Sequence, residues 1–112
     1  MTDTATASKI AELNDRFRKG DRKLGVQRTT EMVCALTSEQ QQELFRLVRT
    51  FDQFTEENDP HEEHDFAIVE LDDENYFWKI DYFDLEMEYQ SEDPSNPSVT
   101  RRVMTIMHSS EY

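Results

Sequence analysis

The sequence predicts an α+β fold, two helices packed on a mostly antiparallel sheet of about four or five strands. Three observations carry that expectation. Apolar residues recur at helical spacing twice in the first half, as Ile10, Leu13 and Phe17 and again as Leu44, Leu47, Val48 and Phe51. From Phe66 onward they sit in short runs of β-branched and aromatic residues, often at every second position. The chain has 112 residues and no internal repeat, which suits a single domain over 9–112 behind a flexible stretch at 1–8.

Taken in order, residues 1–8 are small and polar and are expected to fray. The first helix follows, with Glu12 to Arg16 and Asp15 to Lys19 as i,i+4 pairs and Gly20 as its stop. Gly25 to Leu36 reads as a strand, through its β-branched residues and the alternation of Met32, Cys34 and Leu36. Thr37 and Gln40 match a capping box, so residues 38–51 form the second helix. Phe54 to Asp65 is turn chemistry, because Pro60 disfavours the helical conformation at Asp59.

Strands are then predicted at Phe66 to Leu71 and Tyr76 to Tyr82, joined by a turn at Asp72 to Asn75. Tyr76, Trp78, Ile80 and Tyr82 share one face of the second. Leu85, Met87 and Tyr89 alternate with Glu86 and Glu88 as a further strand. Ser91 to Ser98, with Pro94 and Pro97, is a loop. Val103 to Met107 is a last strand, with a helix after Pro97 as the alternative.

The formal net charge is −13, from 25 acidic and 12 basic side chains. It is unevenly placed: residues 1–50 carry +2, residues 51–95 carry −16 and residues 96–112 carry +1. Lys79 is the single Lys or Arg among 17 acids in the middle segment. Such acidity argues against direct nucleic-acid binding and against an anionic membrane, since like charges repel, and favours a basic protein partner. The lone Cys34 excludes an internal disulfide framework and suits a reducing compartment. No apolar segment approaches the ~20 residues needed to span a bilayer. No secretory signal is visible at the start, so a cytoplasmic location is expected.

Several phrases resemble a family of small bacterial proteins of unassigned function. They are Phe51-Asp52-Gln53-Phe54-Thr55, Asn58-Asp59-Pro60, Glu63-His64-Asp65-Phe66 and Phe77-Trp78-Lys79-Ile80-Asp81-Tyr82. Ser91-Glu92-Asp93-Pro94, Arg102-Val103-Met104-Thr105-Ile106-Met107 and Glu111-Tyr112 continue the likeness, which covers about residues 24–112. The resemblance implies a bacterial, cytosolic protein, often encoded near plasmid or other mobile-element genes. It implies no chemistry. The acidic turn Asp72-Asp73-Glu74 and the extra Glu86 and Glu88 are where this chain departs from it.

Four constellations suggest chemistry, and each has a plainer reading. In His61-Glu62-Glu63-His64-Asp65 the residue types suit zinc, and His61, Glu63 and His64 are the weak metal candidates. The spacing is not the i,i+4 helical pattern of a catalytic zinc site, and Pro60 favours a loop, so neither a dedicated metal nor a cofactor is expected. His64, Asp65, Lys79 and Asp81 offer the groups of a metal-assisted hydrolase or nuclease. The simpler account is that Lys79 offsets the surrounding negative field through Asp81 or other neighbours. Cys34 lacks a visible activating partner and reads as a buried structural thiol. With only Gly20 and Gly25, no phosphate-cradling loop exists.

The fourth is an acidic, aromatic-studded surface of Asp72, Asp73, Glu74, Tyr76, Tyr82, Asp84, Glu86, Glu88 and Tyr89. Sixteen charges at one per ~1.7 Å match ~27 Å of duplex, near eight base pairs. The plainer account is a solvated face that confers solubility. The leading expectation is a non-enzymatic protein-binding module, a DNA mimic or anti-defence protein in its sharpest form. A metal-assisted hydrolase or nuclease is the alternative, and an accessory structural subunit the blandest option. Oligomeric state stays open. Crowded carboxylates are expected to repel, so that mild acid or salt stabilises the fold.

Overall fold

Local chemistry sets the first helix ends. The Thr37 hydroxyl accepts from the Gln40 amide at 3.1 Å, and the Gln40 side chain accepts from the Thr37 amide at 2.9 Å. This capping box starts the helix Ser38–Thr50 where the sequence places it. At Gly20, φ is +124°, and the Gly20 and Asp21 amides reach back to the Phe17 and Arg16 carbonyls. That is a Schellman stop, which glycine makes without a Cβ penalty.

The computed structural model describes residues 4–112. In chain order these form α1 (Thr4–Arg18), β1 (Gly25–Thr29), the one-turn helix α2 (Glu31–Cys34), α3 (Ser38–Thr50), β2 (Phe66–Leu71), β3 (Glu74–Phe83) and β4 (Arg101–His108). A 3₁₀ turn at Ser109–Glu111 ends the chain. The class is α+β. One four-stranded sheet runs in the order β1-β4-β3-β2. β3 is antiparallel to both neighbours, and β1 lies parallel to β4. Residues 98–108 therefore end in a strand, and no helix follows Pro97.

One face of the sheet builds the core. Val69 from β2, Trp78 and Ile80 from β3, and Met104 and Ile106 from β4 pack against Leu13 and Phe17 of α1, Val33 of α2 and Leu44 and Val48 of α3. The opposite face carries Phe66, Phe77, Lys79 and Asp81, with Tyr112 edge-on to both phenyl rings. Among the described residues no helix is long and apolar enough to cross a membrane.

Four expectations change. The stretch expected to fray lies in helix from Thr4 onward, and Ala7 is buried, because α1 extends its apolar stripe one turn earlier. Residues 1–3 of that stretch lie outside the described residues. The predicted strand Gly25 to Leu36 stops at Thr29, and Met32 and Cys34 belong to α2. The cause is distant: the Glu111 carboxylate accepts from the Thr30 hydroxyl and, at 3.1 Å, from the Met32 amide, so it caps α2 from the far end of the chain. Cys34 is consequently exposed, with the Thr29 hydroxyl 3.2 Å away, not buried.

The predicted strand at 85–89 is a turn. Asp84 Oδ1 accepts from the Glu88 amide at 3.0 Å, the Met87 amide donates to the Asp84 carbonyl, and Met87 has φ +61°. The chain reverses here instead, and an antiparallel bridge between Phe83 and Gln90 closes the turn.

Candidate functional site

Segment 52–65 crosses from α3 to β2 without regular structure and is held by side chains. Asn58 Oδ1 accepts from the Thr55 amide at 2.8 Å, and its Nδ2 donates to the Gln53 carbonyl. The buried Asp59 carboxylate accepts from the His64 amide at 3.2 Å. Glu62 and His64 both take positive φ, 59° and 55°, within this bend. The His64 ring stacks on Phe54 at 3.9 Å between centroids and 2° between planes.

His64 Nδ1 lies 3.0 Å from Asp15 of α1, and its Nε2 lies 3.7 Å from Asp59. Asp15 also accepts from Arg18 Nη2 at 3.0 Å. Arg18 Nη1 donates to the Val48 and Phe51 carbonyls at the end of α3, and its guanidinium sits 4.9 Å from the Trp78 ring centroid. Burial lowers the Arg18 pKa, while Asp15 and Asp52 work against that effect. Beside His64 opens a cleft of about 770 Å³ lined by carboxylates of Glu12, Asp15, Glu56, Asp59 and Glu62. Its carboxylates can attract cations.

The four residues of the hydrolase expectation do not converge. His64 faces this acidic cleft, whereas Asp65 lines another, of about 270 Å³, with Asp81 and Tyr82. Lys79 bonds Asp81 at 3.2 Å on the sheet face away from the core. This ion pair is the offset that the simpler account expected of Lys79. Burial raises the Asp65 pKa, and Glu63 and Asp59 add to the effect. Nor do the metal candidates gather: His61 is exposed, while Glu63 accepts from the Tyr82 hydroxyl at 3.0 Å. Among the described residues no group of three His, Cys, Asp or Glu is arranged to hold a metal ion.

Sequence reasoning missed a buried polar chain. Arg102, fully buried, donates from Nε to Asn14 Oδ1 at 2.6 Å. Asn14 Nδ2 donates to the Tyr82 hydroxyl at 2.8 Å and to the Glu63 carbonyl at 2.9 Å. Arg102 Nη2 donates to the Pro94 carbonyl at 2.6 Å, and the guanidinium lies 5.2 Å from the Tyr82 ring centroid. Burial pushes the Tyr82 hydroxyl far above the usual phenol range, so it stays protonated and donates to Glu63. Asn14 follows Leu13 in an amphipathic stripe, and Arg102 reads as a basic flank. Nothing in their local context marks them as partners.

The acidic surface divides. Asp72, Asp73 and Glu74 form the turn at one end of β3, and Asp84, Glu86, Glu88 and Tyr89 lie beyond the other. Ten strand residues at ~3.3 Å each separate these groups by ~33 Å. Tyr76 is buried in the core and Tyr82 belongs to the polar chain, so neither is a surface anchor. At the second end, Leu85 (59% exposed), Tyr89 (73%) and Val99 (39%) line an open groove of about 560 Å³ with Asp84, Glu86 and Glu92. Val99 comes from the loop before β4, which no pattern near residue 89 could have indicated.

No curated protein and no solved structure matches the chain. One family model, described as a protein of unknown function (DUF3768), matches residues 29–111, from the end of β1 to the C-terminal turn, and the chain belongs to that family.

Proposed function

We propose that this protein is a non-enzymatic binding module that offers an acidic surface to a basic protein partner, with mimicry of DNA charge as the sharpest form of that role. One observation carries the reading: the fold leaves the acidic segment largely uncompensated. Of the 17 acids in residues 51–95, Asp81 is the one paired with a Lys or Arg among the described residues. Twelve of the 17 are exposed. Four of the nine basic residues of the first half pair with their own neighbours: Lys9 with Glu12, Arg16 with Asp21, Arg18 with Asp15 and Arg46 with Glu43. The field of the middle segment therefore remains available to steer a cationic partner.

The hydrolase or nuclease alternative has no comparable support, since its residues are divided between two clefts. A cytoplasmic, mobile-element setting and an anti-defence role belong to the same proposal as the DNA mimicry.

Displacement is the test. A short labelled duplex is bound to a basic DNA-binding protein, this protein is titrated in, and anisotropy is followed from ~0.05 to ~0.3 M salt. Release of the duplex at low salt, fading as salt rises, is the expected outcome. Binding to polylysine without duplex release removes the DNA-mimic form. No binding to either cationic protein at low salt overturns the whole reading.

A further inference from the structure

Resting on that reading, we infer that the groove between the 84–90 turn and Val99 is the contact surface, and that its occupant is a basic protein segment carrying an apolar anchor. Three of the six large apolar side chains exposed among the described residues meet there. Leu85, Tyr89 and Val99 line one groove, and Asp84, Glu86 and Glu92 line it with them. Exposed apolar side chains scattered singly are ordinary, whereas a group of them rimmed by polar residues marks an interaction site.

The turn is also built to hold these side chains outward. The Asp84 amide donates to the Tyr89 carbonyl at 2.8 Å, the Met87 amide to the Asp84 carbonyl at 3.0 Å, and the Glu88 amide to Asp84 Oδ1 at 3.0 Å. Below it, Phe83 and Gln90 form a β-bridge and the Ser91 amide donates to the Tyr82 carbonyl at 3.1 Å. On the Val99 side, Thr100 is buried, with its hydroxyl 2.6 Å from that of Ser91 and donating to the Asp93 carbonyl at 2.8 Å. Leu85 and Tyr89 thus stand on a pre-ordered backbone, which lowers the ordering cost on binding.

Charge decides the occupant. The rim is carboxylate, so a segment with acidic or purely apolar flanks would leave those groups unpaired or repelled. Lys and Arg on either side of an aliphatic or aromatic residue would meet Asp84, Glu86 and Glu92, while the anchor packs on Leu85, Tyr89 and Val99. Tyr89 also presents a ring face to an arginine. The acidic turn at the other end of β3 has no exposed large apolar residue among Asp72, Asp73, Glu74 and Asn75.

The test uses two labelled peptides and the full chain. One peptide alternates lysine with leucine, and the second carries serine in place of each leucine. Anisotropy is read for the unmodified protein, Leu85→Ser, Tyr89→Ala and the double change Asp72→Asn with Asp73→Asn. Leu85 and Tyr89 are mostly exposed, so their variants keep the core, which a thermal melt checks. The expected result is that the leucine peptide binds at least about tenfold more tightly than the serine peptide. Leu85→Ser and Tyr89→Ala each remove about that leucine-over-serine preference, whereas the Asp72/Asp73 change weakens both peptides alike through the reduced charge and leaves the ratio unaltered. Equal binding of the two peptides, insensitive to Leu85→Ser and Tyr89→Ala, overturns the groove while leaving the acidic module standing. Absence of binding by both peptides at low salt overturns both.

Discussion

His64 Nδ1 and a carboxylate oxygen of Asp15 are 3.0 Å apart although 49 residues separate them in the chain. This contact fastens the 52–65 segment to α1, and Asp15 passes it on to Arg18 and the end of α3. The two partners differ in what their loss leaves behind. His64→Ala removes a stack on Phe54 and one hydrogen bond at a partly exposed site, about 1 kcal/mol. Asp15→Ala also strips the carboxylate from the buried Arg18, which costs more, about 2 kcal/mol after allowance for the exposure of Asp15. Urea unfolding followed by Trp78 fluorescence should rank Asp15→Ala as the more destabilising. The reverse order would mean that Arg18 is held by the α3 carbonyls alone.

The chain from Arg102 through Asn14 and Tyr82 to Glu63 should behave as one unit. Asn14→Ala leaves Arg102 Nε buried without its acceptor and costs about 3 kcal/mol. Tyr82→Phe removes a hydroxyl that both accepts and donates, about 1 kcal/mol. The double variant should lose less than the sum, since the second change removes a group already half-disconnected. Strict additivity in a chemical-denaturation cycle would show that the links are independent.

Asp65 is the carboxylate that carries acid stabilisation. Burial raises its pKa in the fold, with Glu63 and Asp59 adding to it. Between the unfolded and folded pKa values the native state holds more protons, so stability falls as pH rises through that window. Asp65→Asn should therefore raise the melting temperature at neutral pH, and the gain should vanish on acidification below the unfolded value. The general carboxylate repulsion expected from composition does not describe the whole fold. The Arg16 hydrogen bond, with the Lys23 amide, lowers the Asp21 pKa. For Glu111, burial pushes upward, but hydrogen bonds from Thr30 and from the His108 and Met32 amides outweigh it. These two contribute stability above their unfolded pKa values and lose it on acidification. A gain for Asp65→Asn that is equal at all pH values would show that its charge is not the cause.

Gly25 is required by proximity. A Cβ placed there would overlap the Arg102 carbonyl oxygen, and backbone cannot give way as a flexible side chain can. Gly25→Ala should cost about 3 kcal/mol by forcing β1 from β4. Gly20→Ala meets open space and suffers only from its φ of +124°, at about 1 kcal/mol. Comparison of the two melting temperatures checks the order.

Elements set by neighbouring residues were legible in advance. The Thr37–Gln40 box and the Gly20 stop are closed by bonds within a few residues, and the Asp72-Asp73 turn joins two runs that suit strands. The 85–89 alternation misled because periodicity reports only a preference, and the Asp84 hydrogen bonds close a turn there instead. Met32 and Cys34 misled because the acid that caps α2 is Glu111. The acidic segment was legible as charge, but its division between the two ends of β3 was not, nor was the burial of Tyr76 or the tie of Tyr82 to the buried polar chain.

By itself, then, the sequence determined the α+β class, the local helix signals and the −16 segment, since each follows from residue type and short spacing. Only the tertiary structure decided which carboxylates share a cleft with His64, why Arg102 can be buried, and that Leu85, Tyr89 and Val99 meet. Those contacts reach as far as 88 positions along the chain, from Arg102 to Asn14, and their geometry comes from how β3, β4, α1 and the loops pack. No local rule encodes that packing, because its free energy exists only once the sheet has formed.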